Sequence, residues 1–238
     1  MGGVLSRPAP QVPGQELREF HYTPGDFEHA RRLLYQQAGI SLSATKEQMV
    51  YSRLARRLRS LRLCSFADYF NYLAVHEEEW QQFINALTTN LTAFFRENHH
   101  FAMLAAHVRK HAHQHRPLRI WCSASSTGEE PYSLAMTVIE ALDSFTPAVE
   151  IIASDIDTGV LSVARNGIYP EERIDLLEPA RKKRFFLRGK GGQSGKVRVR
   201  PELQALIEFR QINLLDSNWG IEPGLDVIFC RNVMIYFD

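Results

Sequence analysis

At 238 residues, with 45% hydrophobic content, the chain is large enough to bury a real core as one large domain or two small ones. Its 28 Lys and Arg nearly balance 27 Asp and Glu, which excludes a global field for nucleic acid or anionic membrane and leaves electrostatic recognition to local patches. Cys64, Cys122 and Cys230 lack metal-ligand spacing and point to reduced, cytoplasmic usage, and no apolar run has the length of a membrane span.

Residues 1–20 are Pro/Gly-rich without a signal-peptide core and are expected to form a flexible tail, the MGGVLS match to the loose myristoylation pattern being a chance one. A first helix is announced by Thr23 as N-cap, Pro24 at the first position and Asp26 at the third, with Tyr22 placed to staple against Phe27 and Gly39 as its end. Thr45 with Gln48 reads as a capping box for a second helix, whose Val50, Leu54, Leu58 and Leu61 recur at helical spacing. That helix also carries Arg53, Arg56, Arg57, Arg59 and Arg62, with no acidic residue between Glu47 and Asp68. Ser65 with Asp68 caps a third helix, and Glu77 to Leu87 reads as a fourth with Trp80, Phe83, Ile84 and Leu87 inward. Residues 21–88 are thus expected to be a helical domain, and 89–117 a linker with a lead-in helix over about 98–114.

From Leu118 the pattern alternates strand and helix. Strands are expected at 118–122, 149–154, 206–212 and 225–230 and helices at 129–142 and 158–166, which implies an α/β fold with a doubly wound, Rossmann-like parallel sheet over 118–238. RFFLRGKGGQSGKVRVR, two alternating runs around a glycine-rich turn, predicts an antiparallel hairpin at 184–200 within a small β subdomain of about 172–204.

RIWCSASSTGEEPYSLA is the turn the domain is organised around, a buried strand, six small residues and a helix start in succession. Small residues at Ser123 to Gly128 let a ligand approach the backbone. Glu129 and Glu130 would repel a pyrophosphate and favour a cationic cofactor such as S-adenosylmethionine, the bland alternative being an ordinary turn with solvated glutamates. The ligand of a doubly wound sheet lies at the carboxyl ends of its strands. Asp155 there can accept two ribose hydroxyls, Asn213 and Leu214 can meet a base, and Arg231 and Asn232 follow LDVIFC. His107, His111, His113 and His115 include an i, i+4 pair with no carboxylate or cysteine to complete a metal set.

TTNLTAFFRENHHF, WCSASSTGEEPYSLA, ASDIDTGVLSVARNGIY and DVIFCRNVMIYFD together resemble the chemotaxis receptor methyltransferases of the CheR type, over roughly residues 26–238. The resemblance implies an N-terminal helical domain joined to a methyltransferase domain with an inserted β subdomain. It implies transfer of a methyl group from S-adenosyl-L-methionine to receptor glutamates, leaving S-adenosyl-L-homocysteine. It carries cofactor contacts over to Asn90, Thr92, Arg96, Glu130, Asp155, Asn213, Leu214, Arg231 and Asn232, and places Arg96 and Tyr236 near the transferring methyl. Ala124-Ser125-Ser126 stand where many methyltransferases have glycine, a tolerable change because serine is small. The resemblance also implies partners: a chemoreceptor cytoplasmic coiled coil for Arg53, Arg56, Arg57 and Arg59, and a receptor tail peptide for the hairpin. A monomer, no membrane insertion and no nucleic acid are expected. Phe94 and Phe95 are expected to pack at the domain junction rather than flank the cofactor. RNVMIYF after a strand loosely suggests a nucleic-acid amino methyltransferase, which the near-neutral charge opposes, and intact Arg96 and Tyr236 oppose a non-catalytic sensor of the cofactor. A sheet of this kind continues past 225–230 with a helix and three strands, so it is expected to be truncated at its C-terminus, with LDVIFC as an uncovered edge.

Overall fold

A computed structural model describes residues 18–111 and 116–237, so residues 1–17 of the expected tail, His113 and His115 lie outside the described residues, while Arg18 and Glu19 of that tail bond Glu47 and Arg59 of the helical domain. Helix α1, Pro24–Ala38, begins in a reciprocal cap. The Asp26 N–H donates to Thr23 Oγ1 at 3.2 Å, the Thr23 N–H donates back to Asp26 Oδ2 at 2.8 Å, and Gly39 closes the helix at φ 67°. Helix α2, Glu47–Leu61, departs from expectation at its start. A 3₁₀ turn over Ala44–Lys46 runs directly into it, so the Glu47 N–H already donates to the Ala44 carbonyl and no Thr45–Gln48 capping box forms. The Thr45 hydroxyl bonds Ser43 Oγ at 2.7 Å instead. Helix α3, Phe66–Val75, has the expected Ser65 cap, and α4 is Glu77–Leu87. Val50, Leu54, Leu58, Phe83 and Leu87 are fully buried in one core with Phe27 and Leu34, and Trp80 is half-buried at its margin. Tyr22 shares that core but its ring packs on Tyr51 and Phe66, at 5.4 and 4.6 Å between centroids.

After α5, His99–His111, the chain alternates as expected: β1 Leu118–Cys122, α6 Glu129–Leu142, β2 Val149–Asp155 and α7 Thr158–Asn166. The remaining elements are β3 Ile168–Pro170, α8 Pro179–Phe185, β4 Phe186–Arg188, β5 Lys196–Val199, α9 Pro201–Gln204, β6 Ile207–Gln211 and β7 Val227–Phe229. The main sheet runs β6-β2-β1-β7, all parallel. Ile120, Cys122, Ile151 and Ala153 face the core built with α5 and α6, while Trp121 and Ile152 are buried on the opposite face, where the Trp219 ring lies 5.0 Å from Trp121. Both faces of the inner strands are therefore buried, which is why these strands read as continuous apolar runs.

Two strand expectations shorten, 206–212 to Ile207–Gln211 and 225–230 to Val227–Phe229. The Asp226 N–H still donates to the Arg119 carbonyl at 2.9 Å, but the Asp226 carboxylate takes both Nη atoms of Arg116, at 2.7 and 2.8 Å, and the strand starts only at Val227. Among the described residues β7 is an edge, pairing with β1 alone, and Ile228 is exposed. The small antiparallel sheet has three strands, β3-β5-β4, and not only the expected hairpin. β3 precedes the expected start at 172, and three residues after a helix-ending Gly167 are too few to show a strand period. No described helix is long and apolar enough to cross a membrane.

Candidate active site

The turn after β1 owes its shape to Gly128, which stands at φ 100° as the N-cap of α6; a Cβ there would come within 2.8 Å of the Tyr169 hydroxyl and 2.9 Å of Ala164 Cβ. Tyr169 Oη donates to the Thr127 carbonyl at 2.7 Å, so β3 of the small sheet braces the turn directly. Both glutamates are turned inward, which removes the reading of a solvated turn. Glu129 is fully buried, its Oε1 accepting Arg173 Nε at 3.1 Å and also Nη2, its Oε2 accepting Thr127 Oγ1 at 2.6 Å. Glu130 Oε2 accepts Arg231 Nη1 at 2.6 Å and Oε1 accepts the Cys122 thiol at 3.4 Å. Burial pushes the Glu130 carboxyl up and the adjoining Arg231 guanidinium pulls it back.

Beside this turn opens a cleft between the helical domain and the carboxyl edge of the parallel sheet. Asn90, Thr92, Arg96, Glu130, Asp155, Asn213, Leu214, Arg231, Asn232 and Tyr236 all line it. Strand ends supply Asp155, Asn213 and Arg231, the interdomain segment supplies Asn90, Thr92 and Arg96, and the closing turn Met234–Tyr236 supplies Tyr236. That turn is tied across the domains by the Ser41 N–H, which donates to the Tyr236 carbonyl at 2.9 Å. Arg96 Nη1 donates to the Leu91 carbonyl at 3.0 Å, Arg231 Nη2 to the Arg96 carbonyl at 2.7 Å, and Asn213 Nδ2 to the Gln37 carbonyl at 2.8 Å. Two carboxylates, two guanidiniums, three carboxamides and the apolar Leu214, Ile156 and Ile212 are a donor and acceptor set that fits a zwitterionic amino acid joined to a ribose and a flat base. Ile40, Leu42 and Phe237 also line the cleft. Sequence reading had no signal for Ile40 and Leu42, since apolar residues in a helical domain look like ordinary core, and Phe237 was passed over within DVIFCRNVMIYFD.

Asp155 carries the clearest electrostatic signature. Its Oδ2 accepts the Ser126 N–H at 2.8 Å and its Oδ1 the Asp157 N–H at 3.0 Å. Burial nevertheless outweighs those bonds, and the carboxyl is pushed up from 3.8 to about 6. The folded pKa lies above the unfolded one, so the folded state holds a proton that the unfolded chain has released, and this group's contribution to stability is lost as pH rises through about 6. The role expected of Asp155 from the sequence, accepting two ribose hydroxyls, needs the ionised form. Affinity for S-adenosylhomocysteine should therefore fall as pH drops below about 6, approaching about tenfold per unit, and be flat above about 7. Calorimetry at about pH 5, 6 and 7.5 checks this, and the slope should vanish in Asp155→Asn; a pH-independent wild type would refute it.

Comparison with known proteins reaches both halves of the chain. Residues 90–238 match a family described as "CheR methyltransferase, SAM binding domain", and residues 25–88 match "CheR methyltransferase, all-alpha domain". The chain belongs to the CheR methyltransferase family. It is 60% identical over 233 residues to chemotaxis protein methyltransferase 2 of Pseudomonas aeruginosa, across 98% of this chain and 82% of that protein. It is 51% identical to the chemotaxis protein methyltransferase of Escherichia coli K12, covering 89% of this chain and 74% of that one, and 48% identical to that of Klebsiella aerogenes, covering 100% and 79%. The CheR domain seen here is thus an S-adenosylmethionine-dependent methyltransferase fold carrying an all-helical N-terminal unit.

Within this CheR chain the arginine helix is less uniform than its sequence. Arg57 Nε and Nη2 donate to the two oxygens of Glu79 at 2.8 and 2.6 Å, a carboxylate with 4% side-chain exposure, and Arg53 Nη1 donates to the Ala86 and Thr88 carbonyls at the end of α4. Acid absent from the local sequence comes from another helix. Arg59 Nε meets Glu19 at 3.1 Å in a pair exposed on both sides, and Arg56 is exposed. Phe94 stacks edge-on against Tyr169 and Phe186, and Phe95 lies under the Arg181 guanidinium at 4.0 Å; neither lines the cleft, and instead of packing at the domain junction both are buried in the α/β core.

Proposed function

We propose that the chain transfers the methyl group of S-adenosylmethionine to glutamate side chains of chemotaxis receptors, with the interdomain cleft as its site. The observation that carries this reading is the convergence of ten residues from strand ends, linker and closing turn on one cleft that holds charges of both signs. When bound there, the cofactor offers a methyl on a sulfonium, which an incoming carboxylate attacks in line as the C–S bond breaks and a neutral thioether leaves. A glutamate with an ordinary pKa of about 4.3 is already an anion at neutral pH, so no side chain has to move a proton. The residues position and desolvate. Asp155 accepts ribose hydroxyls, Leu214 packs on the base, and the Glu130–Arg231 pair and Arg96 meet the amino-acid end. Arg96 orients a carboxylate, and Tyr236 forms a hydrogen-bonding wall of the transfer channel; alignment of this kind supplies up to about 7 to 11 kcal/mol of barrier lowering.

On the receptor side, Arg56 and Arg59 present the available charge of α2 to the glutamate-bearing coiled coil, while Arg53 and Arg57 act by holding α2 against α4. A receptor tail peptide adds to the small antiparallel sheet. Two measurements test the reading: calorimetry with S-adenosylmethionine and S-adenosylhomocysteine, and release of base-labile methyl groups from receptor. Asp155→Ala should weaken cofactor binding by about 1 to 3 kcal/mol, because two hydroxyls lose a charged acceptor while the fold persists. Unaltered affinity would remove Asp155 from the site, and methyl groups stable to base would remove the ester product.

A further inference from the structure

Asp157 is buried to 3% exposure two residues beyond the strand end that carries Asp155, and its carboxylate joins two segments. Oδ1 caps α7, accepting the Gly159 and Val160 N–H groups at 2.8 and 3.2 Å. Oδ2 accepts Thr88 Oγ1 at 2.6 Å and Asn90 Nδ2 at 2.8 Å, from the segment that leaves the helical domain. A closed ring results: the Asp157 N–H donates to Asp155 Oδ1, the Asn90 carboxamide donates to Asp157, Ser126 Oγ donates to the Asn90 carbonyl at 3.0 Å, and the Ser126 N–H returns to Asp155 Oδ2. Asn90, Ser126 and Asp155 all line the cleft, but Asp157 does not.

We propose that Asp157 is a positioning residue for the cofactor site, which sets the Asn90 carboxamide so that its oxygen, and not its amino group, is offered to the cofactor. This rests on the cleft being the cofactor site. A carboxylate only accepts, so the atom of Asn90 that faces it must be Nδ2, and among the described residues Oδ1 then has no protein donor. An acceptor in that place suits the donors of the ligand, its hydroxyls and ammonium group.

The discriminating variant is Asp157→Asn. Asparagine is an equally good N-cap, and its side-chain oxygen is held by the backbone N–H groups of Gly159 and Val160, so α7 keeps its cap. The amide nitrogen introduced at this position now faces Asn90, which must turn over and present Nδ2 to the ligand. The charge effect has the opposite sign: Asp157 helps to push the Asp155 carboxyl up, so removing its charge makes Asp155 easier to ionise and by itself tightens binding. The expected result, by calorimetry with S-adenosylhomocysteine at about pH 7.5, is about tenfold weaker binding in Asp157→Asn, with recovery in Asp157→Asn/Asn90→Asp, where the carboxylate introduced by the second change accepts from the amide introduced by the first and still offers an oxygen to the cleft. Asp157→Ser, which also keeps the cap, should bind weakly, and denaturant midpoints without ligand establish that each variant is folded. Wild-type affinity in Asp157→Asn, or a double variant no better than the single one, would overturn the assignment. A wild type that binds no S-adenosylhomocysteine would instead remove the cleft as the site.

Discussion

Arg57→Ala is expected to lower unfolding free energy by about 3 to 5 kcal/mol, a loss far beyond that of an ordinary surface charge. The reason lies in Glu79, which the substitution strands. Its Oε1 accepts Arg57 Nε at 2.8 Å and Tyr69 Oη at 3.0 Å and its Oε2 accepts Arg57 Nη2 at 2.6 Å, so without Arg57 a carboxylate with 4% exposure keeps a single hydroxyl donor. The same hydrogen bonds hold the Arg57 guanidinium above its usual pKa. Urea unfolding checks this, with Arg56→Ala as a comparison that should stay within about 0.5 kcal/mol of wild type. Arg57→Met/Glu79→Leu combined with Tyr69→Phe should recover most of the loss, since replacing a buried pair, and with it the hydroxyl bonded to it, by apolar groups is often neutral. A change in Arg57→Ala no larger than in Arg56→Ala would show that the pair is solvated. Receptor methylation lost in a variant lacking all four of Arg53, Arg56, Arg57 and Arg59 therefore reports folding as well as docking; Arg56→Ala/Arg59→Ala isolates docking, and its effect should shrink as salt rises.

Arg173→Ala is the second large effect, expected to cost about 3 kcal/mol of stability and to weaken cofactor binding together. Glu129 has no exposed surface, and after losing both Arg173 donors it keeps only Thr127 Oγ1. Arg173 Nη2 also donates to the Thr92 carbonyl at 2.9 Å, so one side chain fastens the turn ahead of α6 to a cleft-lining residue of the interdomain segment. Arg173 itself retains 38% side-chain exposure, which places the cost at the lower end for a buried pair. Thermal or urea unfolding and calorimetry on the same variant test both halves. Lost stability with unchanged affinity would confine Arg173 to the fold.

Helix limits were legible wherever a cap was complete within a few residues, as at Thr23–Asp26, Ser65–Asp68 and Gly39, because those hydrogen bonds are local and the residues that make them are adjacent. Thr45–Gln48 failed for the complementary reason: the pattern was present, but a 3₁₀ turn had already led the chain into the helix that it would have capped. The inner strands β1 and β2 stood out as apolar runs because both faces of the sheet are covered, whereas β3 is too short to carry a period. The cleft-lining set was found through strand-end logic for Asp155, Asn213 and Arg231. Asn90, Thr92, Arg96 and Tyr236 needed the family resemblance, since nothing in their local patterns marks them.

Local order in the chain was thus enough to specify the helical unit, the alternating α/β unit and the small-residue turn between β1 and α6, since each depends on contacts a few residues apart or on a periodic apolar face. Pairing of charges was not. Glu129 and Glu130 looked like a field that would select a cationic ligand, yet folding gives each its own arginine, Arg173 from 44 positions away and Arg231 from 101. Arg57 looked unopposed and finds Glu79 from 22 positions away. The partner of a charge is chosen by which helices and loops pack together, and because burying an unpaired charge is so costly, tertiary packing and not sequence neighbourhood assigns which ionised groups hold the fold and which remain to meet a ligand.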